Sequence, residues 1–268
     1  DNLLWIRQLA TKIVLDKAQS LGFPNLAADI EDADWTSELQ TGTEDTEMAF
    51  SRRDLSPNPL AKRIRVSNKL IRISTFDIEG LVRRRMAVKF AVTEEKAFMT
   101  GSGVGRPLGI FVASANGIPS SRDVSAGNTT TALTFDGLIN AKMSLKAQYR
   151  QSSALRWLFN RIAIKNAMLI KDANDHYIWE ANIQNEGPDR ILNVKVAESE
   201  YVPSTFTTGQ YVGAIGDFKQ YVIVESLEFT IQKLLELYAE TNQTGFIGRE
   251  ELDGSPMIPD AFARVKLA

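Results

Sequence analysis

Residues 94–110 read Glu94-Glu95-Lys96-Ala97-Phe98-Met99-Thr100-Gly101-Ser102-Gly103-Val104-Gly105-Arg106-Pro107-Leu108-Gly109-Ile110. Upstream, residues 76–99 contain no proline. Ile78, Leu81, Val82, Ala91 and Val92 recur there at near-helical spacing, which predicts one long helix. Asp77 and Glu79 stand near its start, where a carboxylate suits the positive end of the helix dipole. Gly101 stops it. The glycines from Gly101 to Gly109 invite a phosphate-loop reading, which fails in detail. A Walker loop needs Lys-Ser or Lys-Thr after the last glycine, opening a helix that holds the phosphate. Here Arg106-Pro107 follows and the helix comes before the glycines, so C-capping and turn chemistry account for them.

Working back from the helix, Ile64, Val66 and Leu70 alternate with Arg63, Arg65, Ser67 and Lys69, the period of a half-buried strand. A polar run from Thr41 to Pro59 precedes it, with Glu44, Asp45 and Glu47 and then Arg52 and Arg53. Asp34 to Gln40 reads as a second strand. Together these predict a long two-stranded hairpin with a polar tip. Such a hairpin is barely stable alone in water and needs another surface to lie on. Residues 1–33 read as an extended arm with a short amphipathic stretch from Ile6 to Lys17. Arg83-Arg84-Arg85 fan over most of the circumference of the long helix and read as solvated or inter-subunit charges.

Downstream, residues 113–130 make a Ser, Gly, Asn and Thr-rich loop. Phe135 to Tyr149 and Ile162 to Asp172 read as helices, and Leu155 to Phe159 as a short buried strand. From Ile191 onward the pattern is mostly β: Leu192 to Ala197, Tyr211 to Ile215, Tyr221 to Glu225, Phe229 to Tyr238 and Ala261 to Leu267.

The chain has 268 residues, enough for one domain or two closely packed subdomains with a sizeable core. Its 31 basic and 33 acidic residues give a net charge of −2, against the basic excess of a dedicated nucleic-acid binder. There is no cysteine, so disulfides and thiolate chemistry are excluded. The single histidine, His176, lies in the turn Asn174-Asp175-His176-Tyr177 beside Asp172 and reads as a turn residue. No nucleophile elbow or spaced acidic loop is present, no cofactor is expected, and no stretch approaches the roughly 20 apolar residues of a membrane span. The first residues lack an initiator Met and any secretory signal, which suggests trimming or a processed precursor.

The segment 94–110 resembles a hallmark of the major capsid proteins of tailed bacteriophages, with the Hong Kong 97-type fold. In that family a spine helix ends in an acidic pair and an aromatic, then a Gly-x-Gly-x-Gly turn and Pro-x-Gly-Ile. Phe135-Asp136-Gly137-Leu138, Leu155 to Asn160, Leu169 to Tyr177, Ile215-Gly216-Asp217-Phe218 and Ala261 to Val265 follow the family pattern in order and spacing. The resemblance implies an α+β subunit with an N-terminal arm (1–33), an extended loop (34–66), a peripheral subdomain with the spine helix (67–112), an axial subdomain (113–225) and closing peripheral strands (226–268). It implies a structural, non-enzymatic protein that forms pentamers and hexamers of an icosahedral shell around double-stranded DNA, assembled in the host bacterial cytoplasm. A portal and possibly cement proteins are the other expected partners, DNA contact is expected to be weak and non-specific, and no membrane is involved. Glu44, Asp45, Glu47, Arg52, Arg53, Arg63, Arg65, Arg83, Arg84 and Arg85 are the expected inter-subunit contacts. Some relatives cross-link their shells through an extended-loop lysine, yet no lysine occurs between Ala18 and Ala61. Two other readings remain: an encapsulin-type nanocompartment shell, and a soluble carboxylate-dependent enzyme.

Overall fold

The computed structural model describes residues 5–16, 20–28, 49–171, 174–177 and 190–268. Its first part runs α1 (Trp5–Leu9), β1 (Thr11–Val14), β2 (Leu21–Ala28), β3 (Ala49–Leu55), β4 (Asn58–Ser67), α2 (Asn68–Ile73) and α3 (Ile78–Thr100). Then follow β5 (Asp123–Val124), α4 (Phe135–Met143), α5 (Ala147–Arg150), β6 (Leu155–Phe159), α6 (Arg161–Met168), β7 (Arg190–Ile191), β8 (Val194–Glu198), β9 (Tyr211–Asp217), β10 (Tyr221–Leu234), β11 (Gln243–Pro256) and β12 (Phe262–Lys266). The strands form a six-stranded sheet ordered β5-β12-β9-β6-β8-β7, a four-stranded sheet ordered β1-β10-β11-β4, and the pair β2-β3.

The six-stranded sheet divides two cores. In β6, Trp157 and Phe159 face α4 and α6, packing with Leu138, Ala141, Ala163 and Ala167, while Leu158 faces the other way toward Phe98, Met99 and Ile110. A strand covered on both faces reads as a nearly continuous apolar run, which is why Leu155 to Phe159 announces itself in the sequence.

The long helix runs beside β11. Asp77 caps it, its carboxylate accepting from the Gly80 amide at 2.9 Å. Met86 and Phe90 lie over Gly248 and pack with Phe246, Glu94 meets Glu250, and Phe98 packs with Leu252 and lies over Gly254. Four helical residues rise about 6 Å and two strand residues about 6.6 Å. Every fourth position of α3 therefore meets every second position of β11. The expected core set of Ile78, Leu81, Val82, Ala91 and Val92 is corrected accordingly: Leu81 is exposed and the others are only half-buried. The stripe that is buried mixes sulfur, aromatic and acidic side chains, so aliphatic periodicity does not reveal it.

After Thr100 the chain folds back on the helix end. Gly109, Ile110 and Phe111 donate to the carbonyls of Gly101, Phe98 and Met99, each at 2.9 Å. A Cβ on Gly101 would stand 2.1 Å from the Pro107 carbonyl oxygen, and one on Gly109 2.5 Å from that of Met99. These glycines permit two backbones to cross at contact distance and satisfy the orphan carbonyls of the helix.

Several segments differ from the sequence expectation. The hairpin pairs β2 with β3, so its first described limb is residues 21–28. The expected strand from Asp34 to Gln40 lies outside the described residues. Among the described residues the alternating segment around Ile64 pairs not within the hairpin but with β11, and β4 turns Leu60, Ile64 and Val66 toward Met86 and Phe90. It ends at Ser67, and Leu70 belongs to α2 and is exposed. The helix expected over 135–149 breaks between α4 and α5, and the one expected from Ile162 ends at Met168. Phe229 continues the strand begun at Tyr221, which ends at Leu234. The 14-residue strand β11 has no counterpart in the sequence reading. The closing strand β12 joins the six-stranded sheet between β5 and β9, and β1 of the expected arm lies parallel to β10 in the body of the same subunit.

Candidate assembly surfaces

The expected contact residues fall into four places. Glu44, Asp45 and Glu47 lie outside the described residues. Arg52 and Arg53 sit on β3 with different fates. Arg52 is exposed and pairs with Asp54 at 2.6 Å. Arg53 donates to the Pro256 carbonyl at 2.6 Å, and burial pushes its guanidinium down. It fastens the hairpin to its own subunit and is half-buried, while Arg52 is exposed.

Arg63 and Arg65 lie on β4 and flank the ring of Tyr238, with guanidinium carbons 5.6 and 5.4 Å from its centroid. Gly245, opposite Arg65 in the ladder, leaves room for that ring. This is a basic, aromatic-backed strip on a sheet edge, where charge also discourages unwanted strand pairing. Arg83, Arg84 and Arg85 are all exposed on α3.

At the far end of α3, large apolar side chains face solvent. Phe76 is 81 % exposed, and Ile73, Leu81, Leu235 and Leu237 are each about half exposed or more. Asn68 bonds Asn242 at 3.0 Å and Lys233 meets Glu79 at 2.5 Å, which keeps these segments at one end of the subunit. Apolar groups gathered on one exposed end mark a surface meant to be covered.

A buried charge cluster that sequence reasoning missed lies around Arg7. Its Nη1 meets Glu94 Oε2 at 2.5 Å and Glu250 Oε1 at 3.1 Å, and its Nη2 lies 2.7 Å from Glu225 Oε1. All three carboxylates are buried. Burial opposes the charge on Arg7, but Glu94, Glu225 and Glu250 more than offset it and hold the guanidinium above its usual range. Burial and the adjacent Glu94 push Glu250 up to about 7 against the pull of Arg7. Glu95, wholly enclosed, is pushed to about 7 by burial, partly countered by Ser199 and the backbone of Ile6 and Trp5. The local signal was the acidic pair Glu94-Glu95 inside an otherwise apolar stripe. Its basic partner is 87 residues away.

A cavity of about 550 Å³ lies between the base of the hairpin and the glycine turn, lined by Arg52, Leu55, Gly103, Leu108, Asn116 and Asp253 among others. The two carboxyls held near 7 are packed in the interior and do not line it. Among the described residues no group of acids and histidine is placed to hold a metal, and no helix is long and apolar enough to cross a membrane. His176 lies in an exposed turn closed by Lys171 and Asp175 at 3.2 Å.

Comparison with known proteins agrees with the architecture. The model of the phage capsid family matches residues 2–267. Among solved structures, the capsid of a native GTA particle superposes with a TM-score of 0.84 at 24 % identity, covering 98 % of this chain and 89 % of that one. The structure of Microbacterium phage Oxtober96 gives 0.72 at 15 %, covering 98 % and 90 %. The capsid of cyanophage P-SCSP1u gives 0.65 at 13 %, covering 97 % and 86 %. None of the curated proteins compared matches the sequence. With a family match over nearly its whole length and a mixed helix-and-sheet fold shared with these shells, the chain belongs to the phage capsid family and is a structural major capsid protein of the Hong Kong 97-like fold.

Proposed function

We propose that copies of this chain close into pentamers and hexamers of a tailed-phage shell around double-stranded DNA, assembled in the host bacterial cytoplasm. The observation that carries this reading is the apolar end formed by Ile73, Phe76, Leu81, Leu235 and Leu237, left exposed in a subunit of a shell-forming family. In this reading a neighbour covers that end, the six-stranded sheet serves as the axial subdomain, and α3 with the four-stranded sheet serves as the peripheral one. The acidic run Glu44, Asp45 and Glu47 of one copy meets a basic strip of the next, either Arg63 and Arg65 or the Arg83 to Arg85 run, with Arg52 beside it. Opposite charges there set register more than affinity.

The subunit's role is non-enzymatic, and a portal and possibly cement proteins complete the particle. Contact with DNA is weak and non-specific, because the 31 basic groups are interspersed with 33 acids and many phosphate contacts would need a basic surplus. The test is electron microscopy of the purified protein, wild type beside Phe76→Ser with Leu237→Ser. Closed shells from the wild type and folded, unassembled subunits from the variant are expected. Shells formed equally well by the variant would remove the apolar end from the interface.

A further inference from the structure

We propose that the α1–β1 segment is a proton-operated latch, closed on the body of its subunit while the carboxylates around Arg7 retain a proton and loosened when all of them are ionised. The geometry carries the argument. One guanidinium from α1 faces Glu94 of α3, Glu225 of β10 and Glu250 of β11, and the next residue of α3, Glu95, is enclosed beneath the backbone of Trp5 and Ile6. Fully ionised, one positive charge faces three negative charges, a surplus of two in a buried place, with Glu95 adding another. A single proton on Glu250 relieves the contact with Glu94, and one on Glu95 removes a charge that makes no hydrogen bond of ordinary geometry among the described residues. The further titratable groups nearby are Tyr221, which is buried and donates to the Leu108 carbonyl, and Asp253 beside it, whose carboxyl burial pushes up.

The segment is built to move. Three of the four residues of β1 are exposed and the other is half-buried, so it is held by its ladder to β10, by Ile13 and Leu15 packing on Val222, Val224 and Met257, by Thr11 Oγ1 donating to the Lys219 carbonyl at 2.8 Å, and by the Leu15 amide donating to the Glu225 carbonyl at 2.8 Å. Ile6 is its one fully buried anchor among the described residues. Immediately downstream stands β2, the first limb of the hairpin. The protonation state of the cluster therefore adds to the mooring that Arg53 and Leu55 already give the root of the hairpin. This is a property of the single subunit and holds whether or not copies assemble.

Each carboxyl held near 7 when closed, and reverting to its ordinary 4.5 when open, shifts the latch equilibrium by about tenfold between pH 6 and pH 8. The test is amide hydrogen exchange on the unassembled full chain at pH 6, 7 and 8, each rate divided by its intrinsic rate. Protection of Ala10 and Leu15 is expected to fall tenfold or more across that range and to stay well below that of Ala214 in β9 at every pH, which separates local opening from global unfolding. Glu95→Gln with Glu250→Gln is expected to flatten the profile. The wild-type profile decides the matter without any substitution: protection at Ala10 and Leu15 that changes less than twofold overturns the latch. A double variant as steep as the wild type overturns the assignment to these two carboxyls.

Discussion

Arg264 lies with its guanidinium 2.6 Å from Asp123 Oδ1, its side chain wholly enclosed and its plane 4.8 Å from the ring centroid of Tyr211. Tyr211 in turn donates its hydroxyl to Asp123 Oδ2 at 2.9 Å, and Arg264 also donates to the Pro119 carbonyl. The pair fastens β12 to β5 at the edge of the six-stranded sheet. Asp123→Ala leaves a buried cation unpaired and is expected to destabilise the subunit by about 3–5 kcal/mol. Adding Arg264→Met is expected to recover part of that loss. Urea denaturation of the wild type, both single variants and the double variant measures it, and a double variant that costs the sum of the singles would contradict the pairing.

Trp157 is a second point of failure. It is fully buried, stacks on Phe159 at 5.3 Å and donates its indole N–H to the Ile191 carbonyl at 3.0 Å. Trp157→Ala is expected to cost about 3–5 kcal/mol through the cavity it leaves. Trp157→Phe keeps most of the volume but orphans a carbonyl, at about 1–3 kcal/mol. Equilibrium unfolding gives both values, and equal losses would place the whole effect in the hydrogen bond.

Stability depends on pH in the direction set by raised carboxyls. Glu95 and Glu250 bind a proton more tightly in the fold than in the unfolded chain. Their contribution is fully present below about 4.5 and is lost as pH rises through about 7. Asp260, held down by Lys146, works oppositely at lower pH: its contribution fades as pH falls below the ordinary aspartate range. The denaturant midpoint is therefore expected to rise from pH 8 to pH 6 and to turn down in strong acid. Glu95→Gln is expected to reduce the first slope. A midpoint that climbs from pH 6 to pH 8 would contradict this sign.

Assembled shells are expected to release single chains of 29.8 kDa when boiled in detergent. No lysine lies between Ala18 and Ala61, and the hairpin offers Arg52 and Arg53 instead, whose guanidinium groups stay protonated and are poor nucleophiles. A ladder of covalent oligomers on the gel would show that another lysine, such as Lys62 on β4, supplies the amine.

The sequence revealed those elements whose buried residues are apolar and contiguous, such as β6, and the long helix, whose length is set by freedom from proline and by the glycine stop. It concealed β11. There the buried positions alternate faithfully from Phe246 through Gly248, Glu250 and Leu252 to Gly254, but two are glycines and one is an acid. A hydrophobicity scan sees no strand, because α3 supplies the bulk over each glycine and Arg7 supplies the charge for Glu250 from 243 residues away. Of the expected contact residues, Arg53 also bonds within its own subunit, to a carbonyl at Pro256 that is 203 residues away in sequence. Side-chain type announced charge at these positions but not which way the charge points.

The placement of β12 bears on how the chain emerges from a ribosome. Its two neighbours in the six-stranded sheet, β5 and β9, are made long before it. A nascent chain that has reached only β11 carries one unpaired border on β9, and with it the enclosed niche for Arg264 stands empty. Such a chain cannot complete its six-stranded sheet, and non-local pairings of this kind fold slowly. The enclosed pairing of Arg264 with Asp123 thus forms only after β12 has emerged and been threaded into the sheet between β5 and β9.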